Sequence, residues 1–575
     1  MNNVSARGEI PSSIGQLKEL VHLDLSVNFF NSKVPSELGL CTNLTFLSLA
    51  VNNLNGSLPF SLANLTKLSE LGLSDNSFSG EISASLISNW TELISLQIQN
   101  NSLTGKIGNI KAMTQLDLSA NHFSGPILST ICNLTNITVI NLFFNNLSGN
   151  IPVDIGNLTS LQIFYVDDNN LDGELPHSIS HLTSLIHFSV FTNNISGSIP
   201  GVFGKNSPSL TKVYLSNNSF SGELPSDMCS GLNLVVLAIN NNSFSGPLPN
   251  SLRNCSSLTR VRLDDIQFSG NMTEAFGVHP NLNFISLSRN RLDGHLSSDW
   301  GKCINLTEME MSGNKLSGKI PSELSKLSKL EFLSLHSNEF TGHIPPEIET
   351  LSLLYKLNLS RNHFSGEIPK SIGRLSKLNF VNLSDNNFKG SIPKEIGNSD
   401  QLLNLSSNNL LGEIPQNLQK LASLEILNVS HNNLSGTIPQ SFSSMRSLQS
   451  VDFSYNHLSG LIPTGGVFQT ETAEAFAGNS GLCGEVLIGF TTSVGGVLFI
   501  GMIGFGILLF QRKAKKLSEE SKSNEDNDQS ISMVWGRDAK FTFSDLVKAT
   551  NDFNEKYCIG KAGFGSVYKA ELVPH

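Results

Sequence analysis

One motif, L-x-L-x-x-N-x-[LF]-x-G-x-[IL]-P, returns at a 24-residue interval through most of the chain. A full copy runs through Leu357, Leu359, Asn362, Phe364, Gly366, Ile368 and Pro369. With the asparagine as phase mark, copies fall at Asn28, Asn52, Asn76, Asn101, Asn121, Asn145, Asn169, Asn193, Asn218 and Asn242. They continue at Asn290, Asn314, Asn338, Asn362, Asn386, Asn408, Asn432 and Asn456; Ile266 holds the mark in one further copy, making 19. A unit this short cannot bury its own leucines, so the stack of copies is the folding unit. Glycine and proline in every period exclude a coiled coil or a helical repeat. In each copy the L-x-L pair reads as a short strand, both leucines inward and the residue between them outward. The asparagine is placed to cap backbone groups and to stack on its neighbours. The glycine permits a tight bend, and the proline ends strand pairing and sets φ. Strands spaced about 4.8 Å apart predict an arc about 90 Å long, with one short strand per coil on its concave face.

The asparagine spacing and the Ile-Pro ending resemble plant-type extracellular leucine-rich repeats over roughly residues 8–463. The expected fold class is an α/β-type repeat. It is a plant-type leucine-rich-repeat solenoid of 19 clear coils, with a single transmembrane helix and an incomplete kinase N-lobe fragment. At 575 residues the chain is too long for one ordinary core, a limit that a solenoid escapes. Net charge is −10 and no basic stripe runs along the repeats, which argues against nucleic acid. The seven cysteines form no CxxC and no framework spacing. Cys41, Cys255 and Cys303 share the phase 11 residues before the mark, where Leu65, Leu134 and Leu158 stand in other coils. All three are therefore expected to be small buried apolar residues, neither bridges nor metal ligands. The chain holds 21 N-x-[ST] sequons, including Asn43, Asn64, Asn89, Asn133, Asn157, Asn254 and Asn305. Some, such as Asn358 and Asn382, arise because the repeat itself reads N-L-S. The number fits a glycosylated ectodomain on the secretory route.

From Val486 to Phe510, 25 residues pass without a charge, long enough to span a bilayer. Glu485 precedes the run, and Arg512, Lys513, Lys515 and Lys516 follow it. The positive-inside rule puts the repeats outside and the C-terminus in the cytoplasm, as in a single-pass plasma-membrane protein. The polar stretch Leu517–Ser532 reads as a flexible linker. Beyond it, Lys540–Leu572 resembles the opening of a plant receptor-like Ser/Thr kinase, with an F-x-x-x-D-L-x-x-A-T-x-x-F lead-in and a glycine-rich hairpin. In the family, G-x-G-x-x-G-x-V lets backbone amides approach ATP phosphates. Gly560, Gly565 and Val567 match that pattern; Ala562 takes the middle glycine's place, with Gly563 beside it. Phe564, Tyr568 and Lys569 stand in their family places, Lys569 not being the phosphate-pairing lysine. The catalytic V-A-I-K, H-R-D and D-F-G segments do not occur before His575, so the chain as it stands is expected to lack kinase activity, catalytic residues and cofactors. ATP and Mg belong to the family's complete kinase domain. The expected domains are residues 1–463 (ectodomain, first coil partial), 464–485 (remnant of a C-terminal cap), 486–510 (membrane helix), 511–539 (juxtamembrane linker) and 540–575 (start of a kinase domain).

Met1 opens inside a repeat, with no apolar signal sequence and no paired-cysteine N-terminal cap. The first coil is expected to expose its leucines, and membrane insertion to be inefficient without an added signal. Asn479–Gly484 resembles the C-terminal cap, with the usual second cysteine missing. The intervals Asn101–Asn121 and Asn386–Asn408 are short, at 20 and 22 residues, and Ile266 cannot make an asparagine's hydrogen bonds. These features read as a truncated gene model or a decaying paralogue.

Positions seven, six, four, two and one before the mark are expected to face solvent on the concave sheet. In the C-terminal coils they are bland: Asn358 and Ser360, Asn382 and Ser384, Asn404 and Ser406, Asn428 and Ser430. In the coils from Asn145 to Asn314 they carry aromatics interleaved with charge. Anchors plus orienting polar groups suit a peptide groove. The expected ligand contacts are Tyr165, Asp167, His187, Phe191, Tyr214, Arg262 and Asp264. The resemblance implies a cell-surface receptor for a secreted peptide or a partner ectodomain, with a co-receptor kinase that carries a short leucine-rich-repeat ectodomain. An active Ser/Thr kinase in a longer product, and a kinase-less decoy, are the alternatives.

Overall fold

The computed structural model describes residues 2–106, 113–229, 233–396 and 401–484, together with the strands Ser532–Val534, Lys540–Thr542, Cys558–Ala562 and Gly565–Tyr568. It divides into two units, Met1–Thr491 and Thr492–His575.

The first unit is the expected solenoid. The first residue of each L-x-L pair is the centre of a three-residue strand and the second follows the strand directly; 19 such strands form one parallel sheet from His22–Asp24 to Ser450–Asp452. Pairing keeps the sequence phase: Leu333 lies opposite Leu357, and Leu357 opposite Val381. The first strand pairs only with Phe46–Ser48 and the last only with Ile426–Asn428, so this inner sheet is open. The leucines of the pairs are buried throughout, Leu357 and Leu359 completely.

The expected strand on the concave face is present in each coil, and a second strand accompanies it in the coil's outer part. This second strand follows the mark, as in Glu339–Gly342 and His363–Glu367, and pairs in parallel with its counterpart in the next coil. These outer strands form sheets of eight, five and eight members, linked by single bridges at Glu174–Ser196 and His295–Ser317. The residue two after the mark lies in this strand, points inward and is often phenylalanine. Phe340, Phe364 and Phe388 are fully buried, with ring centroids 6.0 and 6.2 Å apart. Beyond the strand, the Ile-Pro proline does more than end pairing. With φ near −68° and ψ near 136°, Pro369 precedes the 3-10 helix Lys370–Arg374 that carries the chain round the back of the coil.

The asparagine ladder holds the turns. Asn362 Nδ2 donates to the carbonyls of Leu335 in the previous coil (3.0 Å) and of Leu359 and Ser360 in its own (both 3.1 Å). Its Oδ1 accepts the Phe340 N–H of the previous coil at 3.0 Å. The two short coils keep the pattern: Asn121 bonds Ile98 O and the Leu103 N–H, and Asn408 bonds Leu383 O and the Phe388 N–H. At Ile266 the ladder breaks as expected, for this buried side chain offers the Phe244 N–H no acceptor.

Both ends depart from expectation. The stretch read as a cap remnant continues the stack: Asn479 donates to Phe453 O and accepts from the Leu458 N–H, both at 3.0 Å, and Gly481–Cys483 extends the outer sheet. At the start, Arg7–Glu9 pairs with Phe29–Asn31, and Leu23 and Leu25 are only 9% and 5% exposed. The exposed apolar side chains of that coil are instead Leu17, Val21, Val27 and Phe29.

Cys255 overturns its expected role. It is bridged to Cys229 of the preceding coil, with Cα atoms 5.8 Å apart. Cys229 stands outside the shared cysteine phase, so the periodic comparison could not pair the two. Cys41 and Cys303 are free and fully buried, as expected.

In the second unit, Ser532–Val534 pairs antiparallel with Lys540–Thr542, inside the stretch read as a linker. Cys558–Ala562 and Gly565–Tyr568 form the expected glycine-rich hairpin, with Gly560 opposite Val567 and Ala562 opposite Gly565. Gly563 and the expected span 486–510 lie outside the described residues. Among the described residues no helix is long and apolar enough to cross a membrane.

Candidate ligand-binding face

The parallel register turns each repeat position into a column running across the inner sheet. In seven of the 19 coils, among them the last five, the residue four before the mark is Asp or Asn and the residue two before it is Ser. The two close a local clamp. Asn358 Oδ1 accepts the Ser360 N–H at 3.2 Å and its hydroxyl at 2.8 Å; Asp24 with Ser26, Asn404 with Ser406, Asn428 with Ser430 and Asp452 with Ser454 repeat it. In the clamped coils the residue two before the mark is therefore buried rather than solvent-facing: Ser360 is 6% exposed and Ser430 3%, whereas Phe143 and Phe191 in the same column are half-buried. The next residue holds φ near +50° to +56° in coil after coil, even where it is Val27 or Thr192.

This corrects the placement of two expected contacts. Asp167 and Asp264 are only 5% and 4% exposed. The other five, Tyr165, His187, Phe191, Tyr214 and Arg262, are half-buried, as an open binding face requires. Tyr165, Ser189 and Tyr214 are register partners four before the mark, and Ile163, His187 and Lys212 are partners six before it. So Tyr165, Asp167, His187, Phe191 and Tyr214 meet on three adjacent coils. The strand Val236–Ala238, buried and bland, separates them from Arg262 and Asp264.

In the first patch the Tyr165 hydroxyl hydrogen-bonds His187 Nδ1 at 2.9 Å, with the rings stacked 6.1 Å apart. Burial raises both the Tyr165 and the Tyr214 phenol, and lowers the His187 imidazole with help from Lys212. Burial pushes Asp167 up to about 6; the nearby Ser189 hydroxyl opposes that rise without making a hydrogen bond of ordinary geometry. Asp168 is raised by burial as well. Ser189, 3% exposed between the two tyrosines, was not singled out in the sequence. Its signal is the one small residue between two tyrosines in a single column, visible only once the coils are stacked.

In the second patch the residues satisfy one another. Arg262 pairs with Asp264 at 3.1 Å, Arg289 pairs with Asp265, and the Arg260 guanidinium lies 3.9 Å over the Phe284 ring. Glu308 is raised by burial and by Glu310 beside it. Among the described residues no group of His, Cys, Asp and Glu is placed to hold a metal.

Residues 302–469 match a leucine-rich-repeat region family, and five segments between 112 and 255 match the single leucine-rich repeat. The chain is similar to the plant peptide hormone receptor RGFR1, solved in complex with RGF2, at 34% identity and a TM-score of 0.76, covering 83% of this chain and 81% of that one. The chain belongs to the plant leucine-rich-repeat receptor-like kinases through its ectodomain. It is also similar to the Arabidopsis receptor kinase HAESA, solved with the peptide hormone IDA and the co-receptor SERK1, at 30% identity and a TM-score of 0.74, covering 84% of this chain and 86% of that one. MDIS1-interacting receptor like kinase 2 of Arabidopsis thaliana is 35% identical over 128 residues, 18% of this chain and 12% of that protein. The chain thus matches only about an eighth of that relative's length.

Five of the expected glycosylation sites of this receptor-kinase ectodomain, Asn64, Asn89, Asn133, Asn157 and Asn254, are exposed at or beside the ends of the short helices, away from the inner sheet. Asn43 and Asn305 are half-buried, their amides donating to Lys18 O and Pro280 O.

Proposed function

We propose that this ectodomain binds a secreted peptide on its inner sheet and that a single span at 486–510 carries the signal across the plasma membrane. The observation that carries the reading is the break in the Asp/Asn-x-Ser clamp. Where the clamp is kept, the sheet's side chains are spent on one another; at Tyr165, His187, Phe191 and Tyr214 they are half-buried rings beside unsatisfied polar atoms. Similar ectodomains solved with peptide hormones, and one also with a co-receptor, support the same class of ligand and partner. The exposed sequons carry glycans on the face that the ligand does not use. The second unit begins the family's ATP-dependent Ser/Thr kinase, its glycine hairpin at Gly560, Gly565 and Val567, and a product that carries the rest of that domain is an active kinase. A kinase-less decoy uses the same binding face.

Replacing Phe191 or Tyr214 by Ala weakens peptide binding by about 1–2 kcal/mol, the cost of truncating an anchor. Asn382→Ala or Asn428→Ala changes affinity little. Titration calorimetry with one peptide across the four variants checks this. Loss confined to the C-terminal pair puts the site in the clamped coils instead.

A further inference from the structure

We propose that Asp167 and Asp168 form an anionic subsite that takes a basic side chain, arginine or lysine, of the bound peptide. This deepens the peptide reading and rests on it. The molecule carries its own precedent. Asp264 and Asp265 occupy the same two positions of their coil, two and one before the mark, and both are neutralised. Arg262, four before the mark in the same coil, pairs with Asp264; Arg289, one before the mark in the next coil, pairs with Asp265. At Asp167 and Asp168 the two cation positions hold Tyr165 and Thr192, and among the described residues no ion pair reaches either acid.

A second observation marks the place as a site. Asp167 Oδ1 and Ser189 Oγ are both buried without a hydrogen-bond partner, on side chains 5% and 3% exposed. Buried polar atoms of this kind are rare in finished interiors. Ser189 is the small, buried member of its column. Tyr165 and Tyr214 stand on either side of it in the same column, and His187 and Phe191 lie on its own coil. Aromatic faces around a carboxylate favour a cation. The charge of Asp167 adds to the rise of both tyrosine phenols. His187 is held in its neutral form by burial and adds no competing charge near neutral pH. Lys212, the nearest lysine on the sheet, is two coils and four residues away from Asp167, about 16 Å by strand spacing and beyond a Debye length.

The test uses the full chain in lipid nanodiscs and a displayed library of random heptapeptides. Selection on the wild type enriches Arg or Lys at one position. That enrichment falls at least tenfold on the double variant Asp167→Asn, Asp168→Asn. It falls equally on Tyr165→Arg, which places an internal guanidinium where Arg262 stands in the later coil, and whose unfolding temperature does not drop. Asp293→Asn, on the outer strand, leaves it unchanged. Peptides that depend on Phe191 and Tyr214 but carry no enriched basic residue, or a basic preference that survives both variants, overturn the cation subsite while leaving the peptide reading intact. A library with no binder sensitive to Phe191→Ala or Tyr214→Ala overturns both.

Discussion

At the scale of single residues, two side chains of one size class do opposite things. Each mark asparagine satisfies four backbone groups across two coils, as Asn362 does. Each such bond contributes about 1 kcal/mol net, and leaving a buried partner unmade costs more. Ile266 is the one gap in this ladder between Asn28 and Asn456. Ile266→Asn is expected to stabilise the ectodomain by about 1 kcal/mol, read as slower amide exchange at Phe244 and a higher unfolding midpoint. Asp167 works the other way. Its folded pKa, about 6, stands above the ordinary 3.8, so between those values the folded state binds more proton than the unfolded one. Stability is then highest at low pH, falls as pH rises from about 4 to 6, and stays lower by about 3 kcal/mol above that window. Asp167→Asn removes this dependence, so its unfolding midpoint exceeds the wild type's at pH 7.5 and matches it more closely at pH 4. A buried acid held at such a cost is what a binding site leaves behind when its ligand is away.

Among elements, the tightest constraint is between the short helices of neighbouring coils. A Cβ on Gly156 would sit 2.0 Å from Ser178 O, and one on Gly39 2.3 Å from Ser61 O. Gly156→Ala must push two coils apart, costing about 1–3 kcal/mol, with exchange rising in the coils on either side rather than along the whole stack. The Cys229–Cys255 bridge staples two coils over a 26-residue separation. Its removal by Cys255→Ala costs about 2–4 kcal/mol, and differential scanning calorimetry with and without reductant checks it. The bridge lies between the coil of Tyr214 and the coil of Arg262, so reduction loosens the binding face at its middle.

The molecule as a whole is a sum of coils joined by nearest-neighbour contacts, and its legibility follows from that. Period, strand placement, buried leucines and the asparagine ladder could be read directly, because each depends on one coil repeated. The outer strand was not read, since S-x-G after the mark carries little strand propensity and pairs only because the ladder fixes its register. The 22-residue step of the short coil at Asn408 was legible as an irregularity, yet the ladder crosses it unchanged. Five of the seven expected contacts do lie half-buried on the inner sheet, but Asp167 and Asp264 are buried, Asp264 against Arg262 of its own coil.

The sequence by itself determined the solenoid, its phase and the family, for a hydrophobic period of this length has one way to bury its leucines. Only the tertiary structure decided which polar residues satisfy one another. Asp264 and Asp167 hold the same place in the repeat, and both are buried. Asp264 meets Arg262 of its own coil, but the partner of Asp265 is Arg289 and the hydroxyl nearest Asp167 is that of Ser189, both from the next coil, and such neighbours are brought together only by stacking.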